Sequence, residues 1–202
     1  MVYAAVCRGE GLYRGCVNSL ATLATSGPYC HCEFVFRWTP EQLQEVANNL
    51  CGFVRLRSEV EKPVFLCLYI IWGRTVDYRF LTEDASEEFF RVPAHMLPMD
   101  VTFEQEIQIA KWVFSQYGAP YDKVGAMLCM FHWRKSRRQY NRYFCSQLMA
   151  CALNNCGLTH IANVAISPNR LYHYLTAHQC RELENVHDHL LQQLRDEEVQ
   201  TV

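Results

Sequence analysis

The sequence predicts an α+β domain. Two observations carry this. The first hundred residues hold short runs rich in aromatic and β-branched residues, the composition of strands. After Pro98 the chain is punctuated as helices, with capping boxes, apolar residues at helical spacing and glycine stops.

Taken in order, residues 1–27 are mixed, with Asn18 placed to cap a short helix through Ala24. Tyr29 to Trp38 reads as a strand, Tyr-Cys-His-Cys-Glu-Phe-Val-Phe-Arg-Trp. A helix follows, with Thr39 as N-cap, Pro40 at the first helical position and Gln42 completing a capping box; it ends near Asn49. Three more strands are expected at Phe53–Arg57, Val64–Trp72 and Val76–Leu81, the last continued by Phe89–Val92. Thr102 and Gln105 form a second capping box, and Ile107, Ala110, Phe114 and Tyr117 recur at helical spacing before Gly118. Ala119–Asp122 is a turn into the apolar segment Val124–Phe131. The next helix spans Cys145 to Asn155, with Gly157 as its stop. Ser167-Pro168 opens the last helical region, whose tail places Leu183, Val186, Leu190 and Leu194 on one stripe.

Composition narrows the class. The 202 residues are half apolar and one fifth charged, with a net charge of −2. That fits one globular domain, with a core at about 28–176 and a helical tail over 177–202, and excludes disorder, collagen and low-complexity arrays. The longest apolar run, Val64–Trp72, is far short of the ~20 residues of a membrane span. No basic stretch followed by an apolar core marks Met1–Glu10 as a secretory signal. The charge gives no whole-protein reason for nucleic-acid binding. Eleven cysteines is a high and odd number, and most sit in apolar segments such as Phe65-Leu66-Cys67-Leu68-Tyr69. They read as small hydrophobes in a reducing, cytoplasmic setting rather than as a disulfide framework.

Two places carry candidate chemistry. Cys145 lies where a loop becomes a helix, so the positive end of the helix dipole favours its thiolate and the first-turn amides can hold an oxyanion. The structural alternative is one more buried cysteine. His31 and Glu33, two apart on a strand, point to the same face, and a carboxylate beside an imidazole raises its basicity. The alternative there is a polar pair facing solvent.

Four segments also resemble one family. Ser26–Phe36 resembles the histidine strand of circularly permuted papain-like, NlpC-type proteins, a group that includes YiiX-like and poxviral members and, more distantly, lecithin:retinol acyltransferase. Tyr121-Asp122-Lys123-Val124-Gly125 resembles their segment before the active-site helix, Tyr143–Leu148 their nucleophile helix, and Ser167–Tyr172 their closing motif. The resemblance implies Cys145 as nucleophile, His31 as base, and an antiparallel sheet on which the cysteine helix packs. It further implies a thiol hydrolase or acyltransferase acting on an amide, ester or thioester. Glu33 fits the histidine-strand pattern as the third member, on the sheet face that receives the Cys145 helix; in some relatives that role falls on the following strand, and Asn49, Arg55 and Arg57 are the polar residues near that place here. Two positions depart from the pattern: Gln147 stands where many relatives carry an acid, and Cys30 where serine is usual.

Other readings compete with these. The rival function is a papain-like interaction protein, of viral type, with a degenerate site. Zinc at Cys30-His31-Cys32 with Cys151 and Cys156 is disfavoured by spacing, and no metal or cofactor is expected. The basic loop over 134–142, with Arg134, Lys135, Arg137, Arg138 and Arg142, suits an anionic ligand or surface, or simply a solvated loop. The stripe over 183–194 suits packing on the domain, a partner helix or an oligomer.

Overall fold

The computed structural model describes residues 1–9, 22, 23, 25, 27–50, 64–81, 94–130 and 141–178. Within them the chain is α+β, with strands β1 (Val2–Arg8), β2 (Tyr29–Trp38), β3 (Val64–Ile70), β4 (Val76–Leu81) and β5 (Ala94–Pro98). The helices are α1 (Pro40–Asn49), α2 (Phe103–Ser115), α3 (Lys123–Met130), α4 (Cys145–Asn155) and α5 (Pro168–His178). The strands form one antiparallel sheet in the order β4-β3-β2-β1-β5.

Both expected capping boxes are present. Thr39 and Thr102 accept from the backbone of Gln42 and Gln105, and each glutamine side chain accepts in return from the cap backbone. Gly73, Gly118 and Gly157 hold the left-handed conformation (φ +77°, +80° and +69°) where β3, α2 and α4 give way to turns.

Two strands differ from the sequence reading. β1 falls in the mixed N-terminal stretch, and Val2 to Val6 are fully buried in the middle of the sheet. A strand buried on both faces shows no apolar–polar alternation, and Ala4 and Ala5 are weak strand formers. β5 follows Pro93 and ends at Pro98, which is tolerated because among the described residues β5 is an edge strand that pairs with β1. The expected strand Phe53–Arg57, the continuation Phe89–Val92, the helix start at Asn18 and the tail beyond His178 lie outside the described residues.

The pleat sorts the sheet into two faces. Val2, Ala4, Val6, Cys32, Phe34, Phe36, Trp38, Leu66 and Leu68 join one core with residues of α2, α4 and α5. Tyr3, Ala5, Val35, Phe65, Cys67 and Met96 form a separate cluster on the opposite face. On the helical face the Trp38 indole donates to the buried Glu106 carboxylate at 2.8 Å.

Strand register shapes the first half of β2. β3 pairs with β2 from Phe34 to Trp38, so it stops short of that half. β1 pairs Cys7 with His31 and Arg8 with Tyr29, which makes Cys30 the extra residue of a bulge. α4 and α5 both pack on β2.

Candidate active site

Cys145 is the first residue of α4, and Phe144 before it is extended (φ −110°, ψ 166°) and provides no side-chain cap. A phenylalanine at the N-cap has no acceptor to give, so the first-turn amides remain available to an anion at that helix end. The Ser146 hydroxyl, next along, donates to the Ile166 carbonyl at 2.6 Å and ties α4 to the segment that leads into α5.

The sulfur of Cys145 meets β2 at the bulge. It is hydrogen-bonded to the thiol of Cys32, to the side chain of His31 and to the backbone of Cys32. These contacts hold Cys145 well below the ordinary thiol value: the Cys32 thiol contributes most, burial opposes, and the hydrogen bond and charge of His31 add to the lowering. His31 moves the other way. Burial works against its imidazolium, but the hydrogen bond and charge of Cys145, and then the charge of Glu33, hold its pKa above the usual value. Lowered thiol and raised imidazole together favour a thiolate–imidazolium pair. Both side chains are 5% exposed.

The structure thus brings Cys145 and His31 into contact, and it places Glu33 elsewhere. Glu33 pairs in register with Ala5 and belongs to the second face, not the one on which α4 packs. Its carboxylate oxygens lie 3.2 and 3.4 Å from Nη2 of Arg79 on β4. The expectation that Glu33 shares the face receiving the Cys145 helix is corrected on this point. The pleat that pairs Glu33 with Ala5 turns Cys32, not Glu33, toward the helix. Glu33 acts on His31 through charge. Burial raises the Glu33 pKa, and the charges of His31 and Arg79 pull it back.

Two neighbours of the sulfur carried no assigned role in the sequence. Cys32 falls in step with Phe34, Phe36 and Trp38, an alternation that marks the helix-facing side of β2. Tyr121 is hydrogen-bonded to Cys145, and burial followed by the charge of Cys145 raises its own pKa. A short parallel bridge brings it there: the Asp122 amide donates to the Tyr143 carbonyl at 2.8 Å, and the Tyr143 amide to the Pro120 carbonyl at 3.2 Å. Asp122 then caps α3 by accepting from the Gly125 amide at 2.7 Å.

Asn169 of α5 fixes the start of β2. Its carboxamide accepts from the Tyr29 amide and donates to the Tyr29 carbonyl, both at 3.0 Å, and also donates to Thr25. Gly27 lies so close that a Cβ there would run into the Asn169 side chain.

Among the described residues no group of three or more His, Cys, Asp or Glu is arranged to hold a metal ion. No described helix is long and apolar enough to cross a membrane. Arg142 is exposed, and the rest of the basic loop and the stripe over 183–194 lie outside the described residues. The described cysteines, Cys7, Cys30, Cys32, Cys67, Cys129, Cys145, Cys151 and Cys156, are free thiols.

No known family matches the chain, and no curated protein is significantly similar to it.

Proposed function

We propose that the protein is a thiol hydrolase or acyltransferase of permuted papain-like fold, acting on an amide, ester or thioester. The observation that supports this reading is the contact between Cys145, at the start of α4, and His31 of β2, with the thiol lowered and the imidazole raised. In this mechanism the Cys145 thiolate attacks the carbonyl carbon. The first-turn amides of α4 stabilise the oxyanion, and His31 returns a proton to the leaving group. The acyl-enzyme is then resolved by water or by an acceptor that His31 deprotonates. Glu33 supports the imidazolium by charge from the far face. The free thiols favour a reducing compartment such as the cytoplasm.

The test is labelling with an electrophilic acyl probe, followed by peptide and lipid substrate libraries. Labelling at Cys145 that is lost in Cys145→Ala and strongly slowed in His31→Ala is the expected result. Labelling spread over other cysteines, and indifferent to His31, would overturn the proposal. The near-complete burial of both side chains favours a second reading, an interaction protein with a closed cleft. That reading expects Cys145 to stay unlabelled in the native chain and to label on unfolding.

A further inference from the structure

Cys32 is the residue after the base, buried to 1% exposure, on the side of β2 that α4 covers. Cys32 and Cys145 belong to one buried core where α4 packs on β2, and hydrogen bonding between the two thiols acts on the acidity of both. A disulfide requires the sulfurs to close to about 2.05 Å, with Cα atoms roughly 4.4–6.8 Å apart. Hydrogen-bond contact between a strand residue and the first residue of the helix packed on it is the starting arrangement for that closure.

We propose that Cys32 is a resolving cysteine for Cys145: hydrogen peroxide converts the pair into an intramolecular disulfide that dithiols reverse. The first step forms a sulfur–oxygen bond. The Cys145 thiolate attacks peroxide, the O–O bond breaks, and the departing hydroxide takes the His31 proton and leaves as water. Cys145 is now a sulfenic acid and His31 a neutral base. In the second step Cys32 gives its proton to His31 and attacks the Cys145 sulfur. The S–S bond forms, the S–O bond breaks, and hydroxide recovers the proton from His31 as a second water. One peroxide is reduced and two thiols are oxidised.

The neighbouring thiols are distinguishable. Cys30 and Cys129 feel Cys145 through charge, and the Cys129 thiol donates to the Ala165 carbonyl at 3.5 Å. Burial keeps Cys32 protonated in the resting protein, so it acts as a donor to Cys145 until the sulfenic acid forms. The consequence is protection. Without a resolving thiol the sulfenic acid proceeds to irreversible acids.

The inference concerns the same sulfur as the proposed activity, yet it is read without any acyl substrate. Full-length reduced protein is treated with hydrogen peroxide near neutral pH, blocked with iodoacetamide and digested without reductant. The expected product is a peptide linking Cys32 to Cys145, and dithiothreitol restores most of the Cys145 labelling by iodoacetamide. In Cys32→Ser the same treatment gives sulfinic acid at Cys145 and about a tenfold lower recovery. Cys30→Ser behaves as the parent. Linkage of Cys145 to Cys30, or oxidation to sulfinic acid in the parent at the rate seen in Cys32→Ser, would overturn the proposal. The linked peptide in the parent decides the matter even if Cys32→Ser does not fold. Rapid alkylation of Cys145 by iodoacetamide without any linked peptide would overturn this inference and leave the acyl-transfer reading standing.

Discussion

Glu33 and Arg79 form an ion pair across the sheet, with the carboxylate side chain 1% exposed and the guanidinium side chain 37% exposed. The pair stands on the face away from α4, and the Glu33 charge acts on His31 from there. Glu33→Gln keeps the shape and removes the charge. The expected outcome is a lower His31 pKa, seen by NMR titration of the imidazole, and alkylation of Cys145 slowed about tenfold. An unchanged His31 titration would remove Glu33 from the site.

The pH profile of Cys145 reactivity follows from the directions of two shifts. The lowered thiol keeps its thiolate as pH falls below the usual cysteine value of about 8.5, and loses it only at its own folded value. The raised His31 keeps its proton above the ordinary value and releases it at its higher folded value. Iodoacetamide labelling at Cys145 is therefore expected to be flat through neutral pH and to fall on the acid side. Cys30, Cys67 and Cys129, pushed up to about 12 by burial, are expected to stay unreactive in the native chain near neutrality. The same signs govern stability. The Cys145 contribution is complete above the unfolded thiol value and is lost as pH falls through the folded one. The His31 contribution is complete below the unfolded imidazole value and is lost as pH rises through the folded one.

Tyr121→Phe removes one hydrogen bond to the Cys145 sulfur and little else. A hydrogen bond to a charged group is worth about 1.5–3 kcal/mol, and one pH unit corresponds to about 1.4 kcal/mol. The acid limb of the labelling profile is expected to move up by about one unit, while the plateau rate at neutral pH changes little. A profile that falls in height without moving would instead mark Tyr121 as a packing residue.

Asn169→Ala deletes the carboxamide that satisfies both backbone groups of Tyr29. The loss leaves a buried donor and acceptor, a cost of about 2–3 kcal/mol on the scale of such groups. Chemical denaturation should show that loss, and Cys145 labelling should slow because His31 lies two residues further along the same strand. Unchanged denaturation would mean that water takes over both contacts.

Local chemistry made the helices legible. Threonine caps with glutamines three residues on, a proline at a first helical position and a glycine after a last one act within a few residues; α1 and α2 begin, and α4 ends, where those signals place them. β1 and β5 were not legible, since one is buried on both faces and the other is framed by prolines. The candidate residues were read from spacing and motif, and the sides of the sheet on which they stand were not. Spacing places His31 and Glu33 on one face of an ideal strand, but which face a later helix covers is decided by the whole sheet. His31, paired with Cys7, has the same strand parity as Glu33, and it still acts on Cys145 by hydrogen bond and charge. The alternation from Cys32 to Trp38 already held a cue, because Cys32, Phe34, Phe36 and Trp38 occupy its even positions and the charged Glu33 and Arg37 its odd ones.

The link between Asn169 and Tyr29 also sets a schedule. A chain made from its amino end exposes the β2 segment long before the residues that hold it are synthesised. Until α4 is complete, Cys145 lacks the Cys32 and His31 contacts that depress its pKa, and it behaves as an ordinary thiol. The last strong tie to the histidine strand arrives from α5, near the end of the fold. A nascent chain therefore carries Cys145 through synthesis as an ordinary thiol, and the lowering of its pKa waits for the completion of the domain around it.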